Sequence, residues 1–209
     1  METIQPEFWA GAETPKLTTP RSPRGRLGRC LLVFIIILTV RFCEAGERGL
    51  PVQEGILNFG KIDAHLYRGA QPDATGIQNL KRLGVKLIVN LRQPGDGWKE
   101  EAAEALAHGI LYTNIPMSGI SRPKDEQIRQ VLALLGSVST PIFVHCQYGC
   151  DRTGTVIACY RIKHDGWSSQ LALREAERYG FSKFEGSMKR FVVEFGHSTK
   201  PDLREASSN

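Results

Sequence analysis

One stretch, His145-Cys146-Gln147-Tyr148-Gly149-Cys150-Asp151-Arg152-Thr153-Gly154, carries side chains able to attack an electrophile and to hold an anion at the same point. Cys146 is the candidate nucleophile, because a thiolate is a strong nucleophile near neutral pH. Arg152 is the candidate clamp. Its planar fork can hold two oxygens of one phosphate, which a lysine cannot do in the same geometry. An apolar run, Pro141-Ile142-Phe143-Val144, precedes the stretch, and a helix-like run, Thr155-Val156-Ile157-Ala158-Cys159-Tyr160, follows it.

Strand, loop and helix in that order make an anion site. A loop closing onto a helix N-terminus aims several backbone N–H groups at one spot, and the partial positive charge of the helix end adds to them. The same field favours the thiolate form of Cys146, so nucleophile and clamp share one cause. Gln147, Tyr148, Gly149, Cys150, Arg152 and Thr153 are the expected phosphate-binding residues. Gly149 and Gly154 are expected to let the backbone pass close to the anion and to the neighbouring helix. Thr153 is expected to donate its hydroxyl to the Cys146 sulfur and ease its departure as a leaving group. Cys150 reads either as a filler of the loop or as a second thiol that closes a reversible disulfide with Cys146.

A bare cysteine-x5-arginine spacing is common, but the apolar strand before it and the glycines, threonine and helical pattern around it make it specific. Cys146 to Arg152 resembles the signature loop of the cysteine-dependent protein tyrosine and dual-specificity phosphatases, and His145 and Thr153-Gly154 extend the match. The resemblance runs from about Phe59 to His197 and includes Leu66-Tyr67-Arg68-Gly69-Ala70-Gln71-Pro72 and Val89-Asn90-Leu91-Arg92. It is closest to the compact, atypical dual-specificity group of bacteria and eukaryotes. It implies a protein tyrosine phosphatase-like fold and a cysteinyl-phosphate intermediate, with no metal and no cofactor.

Related enzymes present an aspartic general acid in the loop after the preceding strand, here Pro116 to Arg122, and that loop has no aspartate. The first one is Asp125, which also suits a helix start, where the dipole favours negative charge. Asp151 is the other candidate. Cys-x4-Asp-Arg-Thr resembles the loops of myotubularin-type and Sac-type phosphoinositide phosphatases, in which the in-loop aspartate is a candidate acid. A carboxylate inside an anion loop opposes binding, so Asp151 reads equally as a brace from behind. The substrates implied are a phosphorylated protein or a small phosphomonoester. Two alternatives stay open. Asp151 favours inositol phosphates or phosphoinositides, although no lysine stands between Gln147 and Asp151. The missing acid in the Pro116 to Arg122 loop favours a phosphate-binding module without turnover.

With 209 residues the chain has room for one ordinary domain and extensions. The net charge of +5 does not point to nucleic acid, because residues 1–49 hold seven Lys/Arg against five Asp/Glu and the remainder 20 against 17. No basic run interleaved with aromatics occurs, so nucleic acid is not an expected partner. Five cysteines, two of them in or beside an apolar run, have no zinc-type spacing.

Residues 1–29, rich in Pro, Thr, Gly and Arg, read as disordered. Residues 30–42 hold the apolar run Cys30 to Val40, bounded by Arg29 and Arg41. As a helix it would reach about 16 Å, short of the roughly 30 Å hydrocarbon core. A signal-peptide apolar region fits, with Arg21, Arg24, Arg26 and Arg29 before it and Cys43-Glu44-Ala45 behind it. An uncleaved anchor from about Leu27 to Phe42, its arginines snorkelling, is the competing reading. Either way the chain is expected at or beyond a membrane, exported or anchored.

The domain is expected over residues 50–198, with a flexible tail over 199–209. Strands are predicted at Phe59–Ile62, Leu66–Arg68, Lys86–Asn90, Leu111–Ile115 and Ile142–His145. Helices are predicted at Asp73–Leu83, Trp98–Ala107, Lys124–Leu135, Gly154–Lys163, Ser168–Tyr179 and Ser187–Phe195. The alternation gives an α/β fold of three layers, a central sheet flanked by helices. Asp73 and Ser168 are expected caps, and Gly84 an expected stop.

Overall fold

The computed structural model describes residues 53–96, 100–137 and 139–199. The expected disordered segment 1–29, the apolar segment 30–42, the tail beyond Thr199 and Trp98 lie outside the described residues. Among the described residues no helix is long and apolar enough to cross a membrane.

Among the described residues five strands, β1 (Gly60–Lys61), β2 (Leu66–Gly69), β3 (Leu87–Asn90), β4 (Leu111–Asn114) and β5 (Ile142–His145), form one sheet in the order β1-β2-β5-β3-β4. Only β1 runs antiparallel to its neighbour. The central strand β5 is buried along its whole length, as expected for a parallel strand covered on both faces.

Alternation along the strands sorts their side chains into two cores. Leu66, Val89, Ile142 and Val144 face one side, while Tyr67, Ile88 and Phe143 face the other. On the second side the sheet is covered by α1 (Ala74–Arg82) and α2 (Glu101–Ala107), through Ile77, Leu80 and Ala105. On the first it is covered by α3 (Asp125–Ser137), α4 (Asp151–Asp165), α5 (Ser169–Arg178) and α6 (Gly186–Ser198). Phe143, fully buried, contributes about 3 kcal/mol by burial alone. Residues Arg152 to Tyr160 of α4 are all buried, so this helix has no solvent face over its first turns. It is the axis of the helical layer, enclosed by α3, α5 and α6.

The expected caps form. Asp73 accepts from the Gly76 N–H at 2.8 Å and Ser168 from that of Leu171 at 3.2 Å. Gly84 takes φ +81° just past α1. One boundary differs in a way that matters for the site: α4 begins at Asp151, three residues before the predicted Gly154. Its first turn is closed by Gly154 N–H donating to the Cys150 carbonyl at 2.7 Å and the Thr155 hydroxyl to that of Asp151 at 2.8 Å. Polar and glycine residues look like loop in sequence, yet here they are the first turn of the helix.

Candidate active site

Cys146 follows β5 directly, at the carboxyl end of the central strand. That is where ligands bind in an open α/β sheet. It is a free, buried thiol, and no Cys146–Cys150 disulfide is formed. The backbone then turns through Gly149 at φ +68° and enters α4 at Asp151. A side chain at Gly149 would place Cβ 2.5 Å from the Gly69 carbonyl carbon, so the loop lies against the end of β2 as closely as a glycine allows. Gly154 meets the other expectation, since a Cβ there would stand 3.1 Å from the Phe181 ring and 3.4 Å from the Ala176 methyl.

Because α4 starts at Asp151, the amides of its first turn precede the first intrahelical bond and are available to an anion. Arg152 sits in that turn, buried. Its Nη1 lies 3.4 Å from the Met117 carbonyl and 3.4 Å from Asp96 Oδ2. The Pro116 to Arg122 loop therefore does reach Arg152, through a carbonyl and not through an acid. Thr153 differs from expectation. Its hydroxyl is fully buried but has no hydrogen-bond partner among the described residues, so the bond to the Cys146 sulfur is not made. Its place within the first turn of α4 turns the side chain into the interior.

The two expected acids have different surroundings. Asp125 opens α3 with its side chain 75% exposed, 4.0 Å from Arg122 Nη2, as a helix-terminal charge would. Asp151 is half-buried, and its Oδ1 accepts from the Ser182 N–H at 2.7 Å. Burial raises the Asp151 pKa, and the Ser182 N–H and the Arg152 charge offset only part of that rise.

Several residues of the site were not anticipated. Asp96, in the loop after β3, pairs with Arg152. His145, fully buried, has Nε2 2.8 Å from Oε1 of the equally buried Glu101. Glu101 also accepts from Tyr112 at 3.1 Å and from Asn90 Nδ2 at 3.2 Å. Burial opposes ionisation of Glu101, but His145, Gln71 and Tyr112 together outweigh it and hold the carboxyl below the usual range. Asn58 Nδ2 donates to the Tyr148 carbonyl at 3.1 Å, and Arg68 Nη2 to that of Gly149. Gln71 N–H donates to the Gln147 carbonyl at 3.3 Å, and Arg92 Nη1 to Gln71 Oε1 at 2.6 Å. In the sequence Arg68, Gln71, Asn90, Arg92 and His145 lie within the stretches that carry the resemblance, without a role assigned to them.

Comparison with known proteins agrees with this architecture. The family model described as "DSP-PTPase phosphatase fused to NAD+ Kinase" matches residues 53–194. Dual specificity protein phosphatase TpbA of Pseudomonas aeruginosa (strain UCBPP-PA14) is 33% identical over 128 residues, 60% of this chain and 56% of that protein. The chain thus spans little more than half the length of that relative. Inositol diphosphatase DSP1 of Oryza sativa subsp. japonica is 30% identical over 165 residues, 76% of this chain and 72% of that protein. A crystal structure of P. aeruginosa TpbA in complex with pTyr superposes with a TM-score of 0.58 at 26% identity, covering 72% of this chain and 91% of that one. The protein tyrosine phosphatase-like fold implied by the loop is therefore present. Since the matched residues take in all five strands, the Cys146 loop and the helix behind it, the chain belongs to the DSP-PTPase phosphatase family.

Proposed function

We propose that this protein is a phosphomonoester hydrolase of the protein tyrosine or dual-specificity type, working through a cysteinyl-phosphate. The observation that carries this reading is Cys146 at the end of β5 with Arg152 buried in the first turn of α4, nucleophile and clamp on one anion-binding turn. The Cys146 sulfur attacks phosphorus in line, an S–P bond forms and the bond to the leaving oxygen breaks. Arg152 and the amides of residues 147–153 stabilise the equatorial oxygens, a contribution of about 3 kcal/mol per well-placed donor. Substrate phosphate takes the place of the Asp96 carboxylate beside Arg152.

Asp151 supplies the proton to the leaving oxygen. Its burial supports this role, because a raised pKa keeps the proton on the acid to higher pH. Asp125, exposed at the start of α3, is the lesser candidate. Water then attacks phosphorus and gives up a proton to the Asp151 carboxylate, the S–P bond breaks, and inorganic phosphate leaves with the thiolate and the acid restored.

A phosphorylated protein is the substrate favoured by the similarity to TpbA, whose structure holds pTyr. Inositol phosphates are the second reading, supported by the rice inositol diphosphatase and by the Arg92 guanidinium bonded to Gln71 beside Gln147. Assay of a phosphotyrosine peptide, a phosphoserine peptide and an inositol diphosphate separates these. The first is expected to have the highest kcat/KM. A preference for the third selects the second reading, and turnover of none of them leaves a binding module. Cys146→Ser is expected to abolish turnover while still binding the phosphopeptide; wild-type turnover in this variant refutes the mechanism. The apolar run at residues 30–42, flanked by arginines, supports location at or beyond a membrane. Fractionation of the tagged full chain tests it, and an uncut, fully soluble cytoplasmic pool refutes it.

A further inference from the structure

The least expected side chain in the molecule is Arg68. It lies in β2 with no exposed surface, and no carboxylate among the described residues is paired with it. Its Nη2 donates to the Gly149 carbonyl of the Cys146 loop, and the guanidinium rests 3.9 Å above the Tyr179 ring. Nε and Nη1 have no hydrogen-bond partner among the described residues. A buried cation left in that state is costly, and carbonyl and ring together do not neutralise it. Glu175 bears on it electrostatically but is held by Arg161, at 2.8 and 3.1 Å through two oxygens.

The other titratable groups acting on Arg68 are Tyr179, Arg161 and Cys146. Of these, Cys146 is the one that carries negative charge during the reaction. Burial lowers the Arg68 pKa to about 10, which leaves it fully charged at neutral pH. The loop is thus bordered by two arginines of different kinds. Arg152 adjoins the surface loops and is placed to meet substrate, whereas Arg68 is sealed beneath, against Gly149.

We propose that Arg68 is a positioning residue whose uncompensated charge, held under the loop through Gly149, stabilises the Cys146 thiolate and the phosphate bound above it. This rests on Cys146 being the nucleophile of an anion-binding loop. It explains why the fold keeps a cation where an apolar side chain would pack at lower cost: the negative charge that balances it arrives with the thiolate and the substrate.

The test reads the thiol and the anion site without relying on turnover. In the full-length protein, the rate of iodoacetamide alkylation at Cys146 is followed at pH 6 by peptide mass analysis, with and without inorganic phosphate as protectant. Arg68→Gln, which keeps a donor near Gly149 but no charge, is expected to slow alkylation about tenfold and to weaken phosphate protection by a similar factor. Arg68→Met should do the same, and Arg68→Gln carries the test if Arg68→Met does not fold. Arg68→Lys, charged but without the fork, should stay within about threefold of wild type in both readouts. Wild-type behaviour of folded Arg68→Gln overturns the proposal. So does an equal loss in Arg68→Lys and Arg68→Gln, which would make the fork's bond to Gly149 the cause. A phosphatase reading that fails shows instead as absence of turnover in the wild-type protein, whatever the Arg68 variants do.

Discussion

Asp151→Asn separates a proton donor from a brace, because asparagine keeps the oxygen that accepts from the Ser182 N–H at 2.7 Å and loses only the acidic proton. A positioned general acid contributes about 10²- to 10⁴-fold when the leaving group needs protonation. Asp151→Asn is therefore expected to lower kcat at least about a hundredfold for an alkyl phosphate and less than about tenfold for an aryl phosphate with an acidic phenol. Asp151→Ala removes the acceptor as well. Leaving the Ser182 N–H without a partner costs about 1–2 kcal/mol, a fall in Tm of roughly 2–8 °C that Asp151→Asn should largely avoid. Burial raises the Asp151 pKa, so kcat for the alkyl ester should fall as pH rises through a value above the ordinary carboxylate range, and that limb should vanish in Asp151→Asn. The same rise means that its contribution to stability is present at low pH and is lost as pH climbs through the folded-state value. The assay is steady-state kinetics over a series of leaving groups and pH, with thermal melts beside it. A loss uniform across leaving groups, or leaving-group sensitivity in Asp125→Asn in its place, refutes the assignment and makes Asp151 a brace.

Gly149→Ala adds a Cβ that would stand 2.5 Å from the Gly69 carbonyl carbon, at a backbone φ of +68°. The conformation alone costs about 1–2 kcal/mol, and because the loop must also move, turnover is expected to fall at least tenfold with the fold retained by circular dichroism; wild-type kinetics would show that the contact is not tight. Glu101→Ala strands the buried His145 without its 2.8 Å partner, and truncating one member of such a pair costs about 3–5 kcal/mol. A Tm lower by roughly 6–20 °C is expected, with a smaller loss in Glu101→Gln, and an unchanged melt would mean that the pair contributes nothing.

Most of the fold was legible in the chain because it depends on neighbours in sequence. The apolar run Ile142–Val144 before Cys146, the caps Asp73 and Ser168 and the stop at Gly84 are local, and each lies where the residue types require. Cys146 and Arg152, the proposed nucleophile and clamp, are close in sequence, so their meeting needs only one loop and one helix start. What the tertiary structure decided is which distant residues surround that loop. Asp96 meets Arg152 from 56 residues away, Arg68 meets Gly149 from 81 and Asn58 meets Tyr148 from 90. These meetings follow from the order β2-β5-β3, which sets two distant strands on either side of the one that feeds the loop. Alternation reports which residues are inside and not which strand lies beside which. For that reason a buried Arg68 or Glu101 looks in sequence like any solvated charge, and only their burial, Arg68 against Gly149 and Glu101 against His145, distinguishes them.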